Sequence, residues 1–264
     1  MLTAYDAPTA ELVHSCGVDM LLVGDSVGMV LLGYDSTLPV TMDEMLHHAK
    51  AVRRGAPKAF VIGDMPYESV GHGAAKALSA ARRFVKEAGC DAVKVEWRKD
   101  APQIVRLIAR AGIPVMGHLG LTPQNAAKKG GPFKVHARLA EDAAALVSHA
   151  KLLEKLGAFG VLLECVPRNV AGTVTGLLNI PTIGIGAGPD CDGQVLVYYD
   201  LIGAFRKFRP KFVKPYVDTH SLMARAVTRY VSDVKAGRFP ADSHSFHMKP
   251  EEEKRFKDLV EEAG

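Results

Sequence analysis

Four acidic residues each end a short apolar run. Asp25 follows Leu21-Leu22-Val23-Gly24, Asp64 follows Val61-Ile62-Gly63, Glu96 follows Val93-Lys94-Val95, and Glu164 follows Val161-Leu162-Leu163. If those runs are neighbouring parallel strands, all four carboxylates point toward one mouth. Carboxylates gathered within a few ångströms repel one another unless some protons are retained or a cation sits among them. Hard oxygen ligands of this kind suit magnesium, which typically takes one or two carboxylates and keeps waters or substrate oxygens in its octahedron. Each acid taken alone reads equally well as the N-cap of a following helix. Four equivalent placements make capping a poor common explanation.

Lys94 precedes Glu96 by two positions, so on a strand the two side chains share a face. A lysine in such a mouth either neutralises the acids or binds a substrate anion. The alternative, a Schiff-base nucleophile, needs a depressed pKa that nearby carboxylates oppose. His118, in Gly117-His118-Leu119-Gly120, is either a hydrogen-bonded structural residue or a ligand-facing one at a strand end. Gly184-Ile185-Gly186-Ala187-Gly188 resembles a dinucleotide loop only superficially, because it lacks the G-x-G-x-x-G spacing. Glycines that let backbone approach a substrate explain it better.

Elements must hold those residues. Short runs rich in Val, Ile and Leu alternate with longer amphipathic stretches, the rhythm of a parallel sheet covered on both faces. Strands are predicted at residues 2–5, 20–23, 59–63, 92–95, 114–117, 159–163, 182–185 and 194–197. Helices are predicted at 8–15, 42–53, 73–87, 102–111, 141–156, 170–178 and 221–235. Thr41 to Glu44 fits the Ser/Thr-x-x-Glu capping box. The fold class expected is α/β, a single (βα)8 TIM barrel over residues 1–264 with a polar, partly helical tail from about residue 240. In such a barrel the chemistry sits at the carboxyl ends of the strands. Residues 118–140, long and rich in Gly, Lys and Pro, are a candidate active-site loop. The chain opens almost inside its first strand, leaving no preceding element to cover the barrel's bottom.

Composition narrows the partners. A 264-residue chain that is 48% hydrophobic can bury one large core. Its net charge of +4 is spread over mixed-sign segments, so no basic, aromatic stripe for nucleic acid is expected. A small acidic metabolite suits it better. Cys16, Cys90, Cys165 and Cys191 are far apart and form no C-x-x-C pair, which reads as reduced thiols of a cytoplasmic protein. No apolar stretch reaches the length of a membrane span, so no membrane partner is expected.

Several motifs in order carry a resemblance. They are Leu2-Thr3-Ala4-Tyr5-Asp6, Leu22-Val23-Gly24-Asp25-Ser26-Val27-Gly28-Met29, and Gly33-Tyr34-Asp35-Ser36-Thr37-Leu38-Pro39-Val40-Thr41. Gly117-His118-Leu119-Gly120-Leu121-Thr122-Pro123-Gln124, Leu163-Glu164-Cys165-Val166-Pro167 and Cys191-Asp192-Gly193-Gln194-Val195-Leu196-Val197 follow. Over roughly residues 2–247 the chain resembles the ketopantoate hydroxymethyltransferase family, related in fold to phosphoenolpyruvate mutase and isocitrate lyase.

That resemblance implies magnesium-dependent transfer of a hydroxymethyl group from 5,10-methylenetetrahydrofolate to 3-methyl-2-oxobutanoate, a step of pantothenate biosynthesis. It implies Asp25, Asp64 and Glu96 as the Mg2+-side carboxylates, directly or through water. Asp25, Ser26, Asp64, Lys94 and His118 are implied around the 2-oxo acid, and Glu164 as the catalytic acid/base. A cytoplasmic homo-oligomer, often a decamer, is implied as well. The sequence departs from the family in opening later and in carrying Trp97-Arg98 where a Gly-Gly pair is usual, which bears on the mouth loop and on folate access. Two rivals remain: a magnesium-dependent 2-oxo acid lyase or phosphonomutase, and a catalytically inactive scaffold barrel. The chain has no Lys-Lys-Cys-Gly-His loop of the lyase type.

Overall fold

The computed structural model describes residues 1–128 and 134–263. The chain forms two compact units, Met1–Val217 and Asp218–Gly264. In the first unit, eight parallel strands lie in chain order in one sheet: β1 (Leu2–Thr3), β2 (Met20–Val23), β3 (Phe60–Asp64), β4 (Ala92–Glu96), β5 (Val115–Gly120), β6 (Gly160–Glu164), β7 (Thr182–Ile185) and β8 (Gly193–Gln194). The sheet curls until its ends meet at a parallel bridge between Leu2 and Leu196, where Thr3 N donates to Leu196 O at 3.2 Å. The result is a curled α/β sheet of parallel strands.

The strands sort their side chains with a period of two. One face carries Leu22, Ile62, Ala92, Met116, Leu162 and Ile183, which pack on one another inside the curl. The alternate positions Val61, Val93, Val95, Val115 and Val161 join a second core beneath the helices. Those helices include Ala7–Ser15, Met42–Gly55, Ala74–Ala88, Ala101–Arg110, Ala140–Lys155 and Arg168–Leu177. Ala101–Arg110 shows why they dock: it buries Ala101, Ile104, Val105 and Ile108, one stripe at helical spacing. Met42–Gly55 starts at the expected capping box, with Glu44 N donating to Thr41 Oγ1 at 3.2 Å and Thr41 N donating to Glu44 Oε2 at 2.7 Å.

The outermost strands are shorter than expected. After Ala4 N donates to Leu22 O at 3.0 Å, Asp6 takes over as an N-cap, its Oδ1 accepting from Thr9 N, so the chain leaves the sheet early. Val197 likewise becomes the N-cap of a short helix, Tyr198–Leu201, whose Tyr198 N donates to Thr3 Oγ1 at 2.9 Å. The loop expected over 118–140 is partly ordered structure. Residues 118–120 continue β5, and Pro123–Lys128 is a helix. Residues 129–133 lie outside the described residues. The second unit contains helices Thr219–Lys235 and Pro250–Glu262, the first capped by Asp218 Oδ1 accepting from Ser221 N at 3.1 Å.

Gly63, next to Asp64 on β3, is glycine because its face of the strand lies against the Phe84 ring, which a Cβ there would penetrate. Phe84 itself is completely buried. Phe84→Ala should therefore cost about 3–5 kcal/mol in chemical denaturation, as expected for a buried aromatic that leaves a cavity. A loss below about 1 kcal/mol would mean that this layer does not depend on the ring.

Candidate active site

The inner face of the sheet changes character toward the strands' carboxyl ends. Two residues beyond Ile62 stands Asp64, beyond Ala92 stand Lys94 and then Glu96, beyond Met116 stands His118, and beyond Leu162 stands Glu164. The register brings them side by side: Asp64 opposite Lys94, Glu96 opposite His118, and Glu164 opposite Gly120. Asp25 and Ser26 join from the turn after β2. All seven candidate residues, Asp25, Ser26, Asp64, Lys94, Glu96, His118 and Glu164, line one cleft of about 320 Å³.

Their contacts form an ordered chain. Lys94 Nζ is ion-paired with Asp64 Oδ1 at 2.8 Å and lies 3.2 Å from His118 Nδ1. An ammonium has only donors, so Nδ1 accepts, and the proton of the neutral imidazole is on Nε2. Nε2 stands 3.1 Å from Glu164 Oε2, a close polar contact that falls short of hydrogen-bond geometry. Burial and the adjacent Lys94 ammonium hold the His118 pKa below the usual histidine value, which keeps the ring neutral. Lys94 feels burial pulling its pKa down, but Asp64, Glu96 and Asp25 outweigh it and keep the ammonium charged.

The acids are less comfortable. Burial, with the Asp64 charge adding to it, pushes Asp25 up to about 8. Burial likewise pushes Glu96 well above the carboxylate range. Among the described residues, no group of three or more His, Cys, Asp or Glu is arranged as a metal cage. Asp25, Asp64 and Glu96 instead face one cleft, and Glu96 Oε1 is buried with no hydrogen-bond partner. Hard oxygens that hold protons for want of positive charge fit a divalent cation that takes few protein ligands.

Backbone geometry aims Glu164. Gly120 beside it has φ +90°, and a Cβ there would strike the Glu164 carbonyl oxygen. Cys165 has φ +50°, a left-handed conformation rare for a side-chain-bearing residue. It is held there by its N–H donating to Ile185 O and its carbonyl accepting from His136 N, at 2.9 and 2.8 Å. Ser26 is fixed from below by the buried Tyr5, whose hydroxyl is 2.8 Å from Ser26 Oγ.

The family model described as ketopantoate hydroxymethyltransferase matches residues 1–242. The chain belongs to the ketopantoate hydroxymethyltransferase family. It is similar to the 3-methyl-2-oxobutanoate hydroxymethyltransferase of Desulfotalea psychrophila, 54% identical over 246 residues, covering 93% of this chain and 88% of that one. It is similar too to the protein of that name from Geobacillus sp. (strain WCH70), 51% identical over 252 residues, 96% of this chain and 90% of the relative. Its fold is like that of phosphoenolpyruvate phosphomutase from Streptomyces platensis subsp. rosaceus, with TM-score 0.57, 16% identity, and 99% and 92% of the two chains covered. Phosphonopyruvate hydrolase gives TM-score 0.58 at 12% identity, with 98% and 90% covered. At those identities the likeness is one of fold. The family member is an enzyme, a hydroxymethyltransferase, and the lyase and scaffold readings fall away.

One residue of the site escaped sequence reasoning. Gln124 is the second residue of the helix Pro123–Lys128 and is almost wholly buried. Its Nε2 donates to Asp25 Oδ2 at 2.8 Å and to Met65 O at 3.0 Å, while its backbone N donates to Glu96 Oε2 at 3.2 Å. It thereby ties Asp25, in the turn after β2, to Glu96 at the end of β4. It was visible only as the last letter of a family motif, because its partner Asp25 lies 99 positions away.

A carboxyl whose folded pKa is raised binds more protons folded than unfolded between the two pKa values, so stability falls as pH rises through that window. For Asp25 the window runs from about 4 to about 8. In metal-free family member, unfolding free energy should fall between pH 6.5 and 8, by up to about 1.4 kcal/mol per pH unit from this group, and less steeply in Asp25→Asn. Equal slopes in guanidinium unfolding of the two proteins would show that Asp25 is ionised in the folded state across that range.

Proposed function

We propose that this chain transfers a hydroxymethyl group from 5,10-methylenetetrahydrofolate to 3-methyl-2-oxobutanoate, forming 2-dehydropantoate for pantothenate biosynthesis. It works as a closed (βα)8 barrel with Mg2+, in the cytoplasm and as a homo-oligomer. The observation that carries the chemistry is the contact chain from Asp64 through Lys94 and His118 to Glu164. It places an ammonium, a neutral imidazole and a carboxylate in series across one cleft.

Asp25, Asp64 and Glu96 would hold the magnesium ion. When bound, it supplies Lewis-acid stabilisation of the negative charge that the 2-oxo group gains when C3 loses its proton. Ser26 and Lys94 orient the oxygens of the 2-oxo acid, and the apolar lining from Leu22, Leu162 and Ile185 takes its isopropyl group.

Glu164 is the acid/base. Its side chain is 17% exposed, against 2% for Glu96 and His118, so it alone of these three reaches a substrate seated in the mouth with a path to solvent. Glu164 removes the C3 proton while His118 Nε2–H keeps the carboxylate aimed. The C3–H electron pair forms the new bond to the one-carbon unit, whose C=O π electrons move to its oxygen. That oxygen takes a proton back from Glu164. The product C3 is quaternary, with no hydrogen left for elimination, so water most simply enters earlier, converting the donor to tetrahydrofolate and site-held formaldehyde.

Exchange of the C3 hydrogen of 3-methyl-2-oxobutanoate for deuterium, followed by NMR without folate, isolates the first step. Exchange should require both protein and Mg2+. In Glu164→Gln it should drop by roughly 10²-fold or more while calorimetric Mg2+ binding persists. Undiminished exchange in that variant would remove Glu164 from the acid/base role, and exchange that survives EDTA would remove the metal.

A further inference from the structure

A second cleft, of about 720 Å³, opens beside the first and shares Leu121, Lys134 and Val135 with it. The steps assigned above do not use it. Its size falls in the range of pockets that hold drug-sized ligands, roughly 300–1,000 Å³. Its wall carries a flat π surface: the Trp97 indole is stacked on the His149 ring, with centroids 4.1 Å apart and planes 26° from parallel. Burial lowers the His149 pKa, so near neutral pH that surface carries no charge. Trp97 is held in place on its backbone side, its N–H donating to His118 O at 2.8 Å and its carbonyl accepting from Asn125 Nδ2 at 2.8 Å.

Around the aromatic wall the charges are one-sided. Arg98, Lys99, Lys134 and Arg138 line the cleft, against Asp142 as the carboxylate among the described lining residues. Arg98 Nε is committed to Asp100 Oδ1 at 2.6 Å and its guanidinium lies 5.7 Å over the Tyr67 ring, so the free positive charge of the cleft comes from Lys99, Lys134 and Arg138. An aromatic surface with surplus cations matches a ligand that joins an aromatic ring to carboxylates.

We infer that this second cleft is a binding site for an aryl-carboxylate chain, a benzoyl group carrying anionic side arms, and that it seats the p-aminobenzoyl-glutamate end of the one-carbon donor while the donor's reactive end reaches the catalytic cleft. The donor's identity rests on the function proposed above; the site's preference for an aromatic anion does not. Trp97 and Arg98 then form part of the donor's seat and do not obstruct it.

The chain has a single tryptophan, so Trp97 fluorescence reports on this cleft alone. Titration of the full-length protein with p-aminobenzoyl-L-glutamate, excited at the red edge of the tryptophan band and corrected for absorption, should show saturable quenching. Calorimetry should give the same affinity. Glutarate, which lacks the ring, and inorganic phosphate should bind at least about tenfold more weakly, and Arg138→Ala should weaken p-aminobenzoyl-L-glutamate by a similar factor. No saturable binding, or equal binding of phosphate, overturns the inference. C3 exchange measured on the same protein keeps the two readings apart: exchange without aryl-carboxylate binding sinks this site alone. Binding without exchange sinks the enolisation chemistry and leaves the site standing.

Discussion

A buried ammonium governs this molecule. Lys94 is only 4% exposed, and an isolated lysine in that position would surrender its proton to escape the desolvation cost. It stays charged because the Asp64 carboxylate lies 2.8 Å away and because Glu96 and Asp25 share the same enclosure. The dependence is mutual. Without that ammonium, Asp64 would have to hold a negative charge in a nearly dry site. Breaking a buried pair by removing one partner typically costs 3–5 kcal/mol, which is why such an arrangement persists only where the whole cluster is satisfied together.

The sheet supplies what the cluster needs, which is parallel strands and an even register. Side chains two apart on a strand share a face, so each strand that contributes an apolar residue to the interior also aims the next-but-one residue into the mouth. Cross-strand pairing then sets neighbours: Asp64 beside Lys94, and Glu96 beside His118. A slip of one residue in β4 would turn Lys94 and Glu96 toward the helices and put Val93 and Val95 in the site. The hydrophobic interior thus fixes the register, and the register fixes the electrostatics.

This logic explains what could be read in the sequence. The strands from β2 to β7 are apolar runs closed by polar or glycine-rich segments, so their places, and the acids Asp64, Glu96 and Glu164 that end three of them, were visible in one dimension. The terminal strands were overestimated, because the Asp6 side chain caps a helix that starts at once, and because Tyr198 N donates to Thr3 Oγ1 where a short helix replaces the end of the last predicted strand. The role of Gln124 was hidden for a different reason. A glutamine at the start of a six-residue helix has no local signature as the partner of an acid on another strand. The Trp97 and His149 stack was hidden likewise, since the two residues belong to different elements more than fifty positions apart and meet only in the folded chain.

The acids of the cleft divide by access as well as by position. Asp25 and Glu96 are sealed in, and burial favours their protonated forms, so their ionisation waits on added positive charge. Glu164 sits at the rim, more exposed than they are, at the end of a relay whose other members cannot easily exchange protons with solvent. The reaction proposed here, which takes a proton from carbon and returns one to oxygen, would need one carboxylate that trades protons and others that do not. If the buried acids also traded protons freely, their charge would change during turnover and the enolate would lose its stabilising field. In the function proposed, separating the two kinds by depth would let the same functional group perform both tasks, and the strand ends provide both depths.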